Sequence, residues 1–450
     1  MRPIAWLLLA INSVLALAIA GTAGVRPRYG GTLRIMVREA PVSLDPAKLS
    51  AAQGARIFPL IFEGLTRFDT QGRLQPLLAM RWQGDSSNQH WQFRLRPGLK
   101  FHDGTALTTE VVATSLRTAN PGWTVSVDGD SVIIETAAPD EELPAELALA
   151  RNGIVHHAGN KVTGTGPFAV SDWQPGRSLA LAANEDYWGG RPFADSVLVT
   201  LGQNWRQQMV ALELGKADVV EAAPEQARRL SSAGRTITES APDELVALVF
   251  THEAQSADEI RVRQALSAAV DRSSIVNVLL QGQGEAAETI LPNWMTGYAV
   301  LFAQTGEKAE NATLPSLAVT MTLSYDASDP ANQLIAERVA LNARDAGIRV
   351  QTAASGANAD VVLVRIALAS PQPQLALQLI TGAMGLPIPQ FQGTSPEELY
   401  GREKEMLQSG RIIPLAHVPE ATAIGPGVNG WRSGLVGGWQ VADVWLGITP

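Results

Sequence analysis

The chain has 450 residues, 18% of them charged and 46% hydrophobic, with a net charge of −9 and no cysteine. Without cysteine there are no disulfides, thiol nucleophiles, thiolate metal sites or lipid-modified cysteine, and an acidic balance with no long basic run excludes binding driven by phosphate neutralisation, so no nucleic-acid partner is expected. The length predicts two or three domain-sized cores.

Arg2 is followed by an apolar run from Ile4 to Ile19, the shape of a secretory signal. Ala18-Ile19-Ala20 offers a small-x-small cleavage site, so residues 1–20 are expected to be a signal peptide and the mature chain to be periplasmic or extracellular, not a lipoprotein. A retained anchor is the alternative, although the run falls short of the ~20 residues that span a bilayer. Thr32 to Val37 reads as a buried strand, stopped at Ser43-Leu44-Asp45-Pro46 because Pro46 removes a ladder donor. Residues 53–65 space their apolar groups as a helix, with Gly64 where a C-terminus wants φ > 0.

Trp91, Phe93 and Leu95 alternate with polar residues, which predicts a half-buried strand. Asp103-Gly104 makes a tight turn, and Thr108 caps a helix over 109–117 with Val111, Val112 and Leu116 inward. Asp128-Gly129 is a hairpin turn. After it come strands around 164–183, a helix from Arg206 to Leu214 and a strand in "GKADVVEAAP". A second body begins near Leu245 with "LVALVF", then a helix from about Glu259 and another over Ser274 to Leu280. "LAVTMTLSYD", "RVQTAA" and "ADVVLVRIAL" are strands alternating with helices over 331–347 and 397–411, the pattern of an α/β sheet with covered faces.

A search for chemistry finds no HExxH, nucleophile elbow or Walker loop. His156-His157 point to opposite faces of a strand, so they make no metal pair. Glu141-Glu142 reads as a solvated loop. Arg261 and Arg263 flank a helix face and are assigned to surface pairing. No catalysis, cofactor or metal is expected.

The stretches "YGGTLRIMVREAPVSLDP", "IFEGLTRFDTQGRLQPLLAMRW", "WQFRLRPGLKFHDGTALTTEVVATSLR", "GTGPFAVSDWQPGRSLALAANEDYWGGRP" and "RVRQALSAAVDRSSIV" resemble, in order, the extracytoplasmic solute-binding proteins of family 5, the oligopeptide, dipeptide and nickel receptors of ABC importers. The resemblance covers residues 29–290 well and is weaker beyond. It implies a two-lobed type II periplasmic-binding-protein fold, α/β in class, with an extra subdomain on lobe 1. It places lobe 1 at 21–240 and 421–450, the reduced insertion at 55–160 and lobe 2 at 241–420. The partners it implies are a small-molecule or peptide solute and ABC permease subunits, served by a monomer. Similar proteins line the cleft with the loop after the first strand, which nominates Glu39, Ala40, Pro41 and Val42.

Peptide-binding relatives carry a segment resembling Trp-x-Ala-Asp-Tyr-x-Asp-Pro whose first Asp pairs with the peptide ammonium. The corresponding stretch here is Ile366-Ala367-Leu368-Ala369-Ser370-Pro371-Gln372-Pro373, with Ala369 at the Asp position. That departure argues against a standard free-amine peptide and for an amine-free, neutral or differently charged solute. Ile366, Ala367 and Ala369 join the candidate site, as do Trp294, for stacking, and Arg365, a charge in an otherwise apolar strand. Thr118–Thr163 and Gly297–Leu317 are short for the family, which implies a smaller or more open pocket. The alternative reading is a degenerate binding-protein scaffold used for protein-protein interaction in the periplasm.

Overall fold

The computed structural model describes residues 26–49, 54, 56–159, 161–298, 301, 319–355, 358–436 and 438–447. The expected signal peptide and nearly all of the short 297–317 stretch lie outside the described residues.

One mixed sheet organises the chain. Thr32–Met36 runs parallel to Ser196–Thr200 on one side and Val219–Ala222 on the other. A second parallel set joins Thr320–Tyr325 to Arg349–Ala354 and Val361–Ala367. Parallel neighbours need crossovers, so helices such as Trp205–Glu213 and Pro330–Asp345 cover the sheet faces. Their starts are written in the sequence: Asn204 and Gln207 form a reciprocal capping box, and Asp329 caps a helix that opens with Pro330.

Two long antiparallel strands, Thr236–Phe250 and Ile412–Ile424, join the two parallel sets. Their first-lobe ends pair beside Val219–Ala222, and their second-lobe ends beside Val361–Ala367. Between those ends the ladder slips register at Glu239/Pro242 and again at Pro242/Glu244, because Pro242 has no N–H to donate. The break makes this crossing the natural hinge. The strand therefore starts well before Leu245 and belongs to both bodies.

Separate apolar cores flank the crossing. The first lobe is centred on Leu33, Ile35, Phe58, Val197 and Trp439, and the second on Leu248, Leu266, Leu323 and Ile335. Beside the first lobe, strands Ala79–Gly84, His90–Leu95, Ser131–Glu135 and Thr124–Asp128 form a four-stranded sheet closed by the helix Thr109–Ala119, whose Val112 and Leu116 share a core with Phe93. Ala145 and Leu149 of this small body touch Leu375 of the second lobe, so the two sides of the cleft are in contact.

Several local expectations are corrected. Among the described residues of 53–65 there is no α-helix, only a single 3-10 turn, Phe58–Leu60, with Pro59 in it. Gly64 is not left-handed; it is small because an added Cβ would lie 2.3 Å from the Leu147 carbonyl oxygen. Arg263 is no surface residue: it is fully buried, its guanidinium 4.1 Å from the Phe250 ring and bonded to the His252 carbonyl at 3.0 Å. Glu142 is not simply solvated, since burial followed by repulsion from Asp140 pushes its carboxyl up to about 7. The stretch expected to be helical from Ser274 to Leu280 is helical, wound as a wide π-type turn over Ile275–Leu279.

Candidate functional site

Two cavities meet where the lobes face each other, and the indole of Trp439 forms a wall of both. The larger, about 260 Å³, has mixed walls: Phe62 and Leu149 from the first lobe, Leu435 and Trp439 from the C-terminal segment and Ala369 from the second lobe stand beside Glu63, Arg67, Asp69 and Asp443. A tight loop places the C-terminal wall. Gly434 N donates to Gly438 O at 2.7 Å and Ser433 bridges to Trp439, so Leu435 and Val436 project from its tip. Leu435 lies against Gly72, where an added Cβ would come within 2.8 Å, and Val436 packs on the second-lobe core, while Trp431 and Trp439 stay in the first. The loop therefore straps across the cleft.

On the same wall Glu63 is buried and satisfied. Its carboxylate accepts from Tyr187 Oη at 2.7 Å, Thr165 Oγ1 at 2.8 Å and Trp188 Nε1 at 3.0 Å. Burial nevertheless pushes its carboxyl up. With its acceptors committed it is a fixture of the wall rather than a free ligand.

The smaller cavity, about 40 Å³, is charged. Arg56, from the turn before Phe58, pairs with Glu221 and Glu420. Arg365 donates from Nε to Glu244 Oε2 at 2.9 Å and from Nη1 to Asp329 Oδ2 at 3.1 Å. Arg38 stacks on Trp205, 3.9 Å from the ring, and stands 3.6 Å from Glu221 and 3.7 Å from Asp329, so it reaches from one lobe to the other. At the hinge, Asp243 is 1% exposed; its Oδ1 accepts from Ser240 Oγ at 2.9 Å, and no donor meets its Oδ2 among the described residues.

These carboxylates outnumber the guanidiniums, and their acidities record it. Glu221, though burial works the other way, is held below the usual carboxylate range by Arg56 and Arg38. Burial, reinforced by neighbouring carboxylates, pushes Asp243, Glu420 and Glu39 up.

The nominated residues divide between these places. Arg365 lines the smaller cavity and Ala369 the larger one. Glu39 turns inward, accepting from Gly54 N at 2.9 Å, while Pro41 O accepts from Gly176 N at 3.3 Å and Val42 is 82% exposed. Ala40 stands beside Gly202, where an added Cβ would lie 3.6 Å away. Trp294 is half-buried in the second-lobe core and donates to Pro242 O at 2.8 Å, which fixes it as hinge support. Ile366 packs on the same core, and Ala367 sits in the ladder opposite Glu244.

Arg38, Arg56, Trp205, Glu221, Asp243, Glu244, Glu420 and Trp439 were not nominated. A usable signal existed for most of them. Arg56 interrupts "GARIFPLIF", Glu221 interrupts "DVVEAA", and Asp243-Glu244 open an apolar strand, each a charge that must find a partner on burial. Among the described residues no group of three or more His, Asp or Glu side chains is arranged to hold a metal ion.

Comparison with known proteins gives the arrangement a family. Residues 73–385 match the profile of the bacterial extracellular solute-binding proteins, family 5 Middle. The chain is 24% identical over 328 residues to a probable D,D-dipeptide-binding periplasmic protein of Escherichia coli (strain K12), covering 64% of each chain. It is 24% identical over 266 residues to a nickel-binding protein of Staphylococcus aureus, covering 55% of this chain and 52% of that one. These alignments span about half to two-thirds of the curated relatives. Among solved structures, NikA from Staphylococcus aureus in complex with Ni(L-His)2 superposes with a TM-score of 0.77 at 17% identity, covering 92% of this chain and 99% of that one. The oligopeptide-binding protein AppA from Bacillus subtilis, in complex with a nonapeptide, gives 0.77 at 18% identity, covering 94% and 100%. The fold is thus the two-lobed binding-protein fold.

Proposed function

The chain belongs to the bacterial extracellular solute-binding proteins of family 5, a family of binding proteins rather than enzymes, and on that premise we propose that it is the periplasmic solute-binding component of an ABC-type importer. It captures a small solute between its lobes and hands it to membrane permease subunits as a monomer. We assign the lobes as residues 21–240 with 421–450, carrying the reduced insertion at 55–160, and residues 241–420.

The observation that carries this reading is the junction itself. Two cores are joined through the strands Thr236–Phe250 and Ile412–Ile424, whose ladder breaks at Pro242, and the cavities lie beside that break. A hinge of two strands lets the lobes rotate as rigid bodies around a solute. At about 260 Å³ the larger of the two hinge cavities is below the ~300–1,000 Å³ usual for drug-sized ligands, which favours a compact solute over a long peptide.

Native mass spectrometry on protein secreted into a bacterial periplasm and purified without denaturant tests the proposal. A discrete added mass that is lost on unfolding, and a thermal shift on adding the identified solute back, are the expected results, because a ligand stabilises the folded state by RT ln(1 + [L]/Kd). An empty protein with no shift from any peptide, sugar or metal ion would overturn it and favour an interaction scaffold.

A further inference from the structure

Beside the contact of Leu375 with Ala145 and Leu149, another cavity, of about 470 Å³, separates the small body from the second lobe. One wall carries Asp140, Glu141, Glu142 and Glu146, and the other Gln374, Gln378 and Gln390. Both walls are rich in acceptors. Arg151, the cation among the lining residues, pairs with Glu146. Asp140 Oδ1 accepts from Glu142 N at 3.0 Å, inside its own turn, and Glu141 Oε1 from Asn88 Nδ2 at 3.1 Å. The Glu142 carboxyl meets no donor among the described residues.

Across the gap each amide commits its N–H to its own lobe. Gln374 Nε2 donates to Gly393 O, Gln378 Nε2 to Pro389 O at 3.1 Å and Gln390 Nε2 to Ile388 O at 3.4 Å. Their amide oxygens have no donor among the described residues. The second lobe brings no titratable side chain to this lining; Glu398, on the following helix, accepts from Gln392 N at 2.8 Å.

Acceptors that face one another gain nothing unless a donor stands between them. A protonated carboxyl supplies one, since its O–H turns an acceptor-only group into a donor. The closed structure already favours that form. Burial, followed by repulsion from Glu146, pushes the Asp140 carboxyl up to about 6, and burial, followed by repulsion from Asp140 and Glu141, pushes Glu142 up to about 7. Opening the cleft withdraws the wall of Gln374, Leu375 and Gln378 and returns water to both carboxyls, so they fall toward their ordinary values of 3.8 and 4.5. Acids raised in one state stabilise that state below the ordinary values and lose the effect as pH rises through the raised ones. Acid therefore favours the closed form.

We propose that this cavity is an acid-strengthened latch between the small body and the second lobe, in which Asp140 and Glu142 close on the glutamine wall as neutral acids and release it as carboxylates. Solute capture thereby gains a pH dependence, with a tighter grip in acid. The latch rests on the lobe closure of the solute-binding reading above, yet it belongs to the chain without solute and is tested there.

Small-angle scattering of the full mature chain, without solute and with a chelator at constant ionic strength, follows closure from about pH 5 to about pH 8. Each unit by which closure raises an acid changes the ratio of closed to open molecules about tenfold. The radius of gyration is expected to grow as pH rises through about 6 to about 7. The double substitution Asp140→Asn and Glu142→Gln keeps both side-chain shapes and removes the titration, so it should stay compact throughout; if it does not fold, Glu142→Gln alone should lose the part of the response nearest pH 7. Glu403→Gln, at a buried acid that does not line this cavity, should respond like the parent. A radius that ignores pH, a response that persists in the substituted latch, or one that vanishes with Glu403 instead, overturns the proposal. Each of these leaves solute binding standing, because a retained solute mass is read independently.

Discussion

Arg56→Met tests whether the hinge charges are one interdependent unit. Met preserves much of the side-chain length and removes the charge, so Glu221 and Glu420 lose their shared cation. Both are mostly buried, with side chains 9% and 21% exposed. Removing one partner of a buried ion pair costs about 3–5 kcal/mol, because the other charge stays desolvated without compensation. With an unfolding entropy of about 2.1 cal/mol/K per residue and a cooperative unit of about 200 residues, that cost lowers the melting temperature by roughly 7–12 °C. Differential scanning calorimetry reads it directly. Adding Glu420→Gln to the variant should restore part of the loss, since the second substitution removes a charge that the first left uncompensated; the double-mutant cycle measures the coupling. A fall of less than about 2 °C, or strictly additive effects, would refute the reasoning and make these ion pairs independent surface contacts.

Glu403, buried beneath the second-lobe core, accepts from Ile290 N, Leu291 N and Tyr298 Oη, yet burial pushes its carboxyl up to about 7. A raised acid contributes stability below its unfolded value of 4.5 and loses it as pH rises through the folded value. Melting temperature should therefore fall between about pH 4.5 and 7, and Glu403→Gln should flatten that slope in a pH series; parallel profiles for the two proteins would exclude the assignment. Leu375→Ala removes the apolar contact between the small body and the second lobe, so the radius of gyration from small-angle scattering should increase with little change in secondary structure. An unchanged radius would mean that other contacts hold the cleft shut. Gly64→Ala drives a methyl to 2.3 Å from the Leu147 carbonyl oxygen and should abolish soluble expression; a variant that melts like the parent would show that this wall yields.

What the sequence carried plainly were the elements whose causes are local. Thr108 accepts from Val111 N as the cap of Thr109–Ala119, and Asp128-Gly129 turns the hairpin with Gly129 at a φ of 57°. Asp45 caps the short turn at Pro46 and so closes the first strand's loop. Long-range causes were less legible. The spacing of residues 53–65 is helical, but the Leu147 carbonyl against Gly64 and the approach of Ile61 to Gly164 and Gly166 hold that segment in a turn. The sequence places Arg263 on a helix, not under Phe250, since periodicity there gives no inward face for a charge. The site was half legible for the same reason. Arg365 stood out because its strand is otherwise apolar, but its partners Glu244 and Asp329 are 121 and 36 residues away, and only the fold brings them together.

The position of the charges at the hinge has a consequence for closure. Glu39 and Glu221 belong to the first lobe, Glu244 and Asp329 to the second, and Asp243 and Glu420 to the strands that cross between them. Bringing the lobes together concentrates like charge in a cavity that water leaves, and desolvated like charges oppose one another strongly. Arg38 offsets part of this by standing between Glu221 and Asp329, one carboxylate from each side. Arg56, between Glu221 and Glu420, and Arg365, between Glu244 and Asp329, offset more of it, and what remains works against an empty closed state. A binding protein needs that asymmetry, because a permease must distinguish the loaded form from the empty one, and a ligand moves a conformational equilibrium only by the difference in its affinity for the two states. Here part of that difference arises from the buried charges that closure brings together at the hinge.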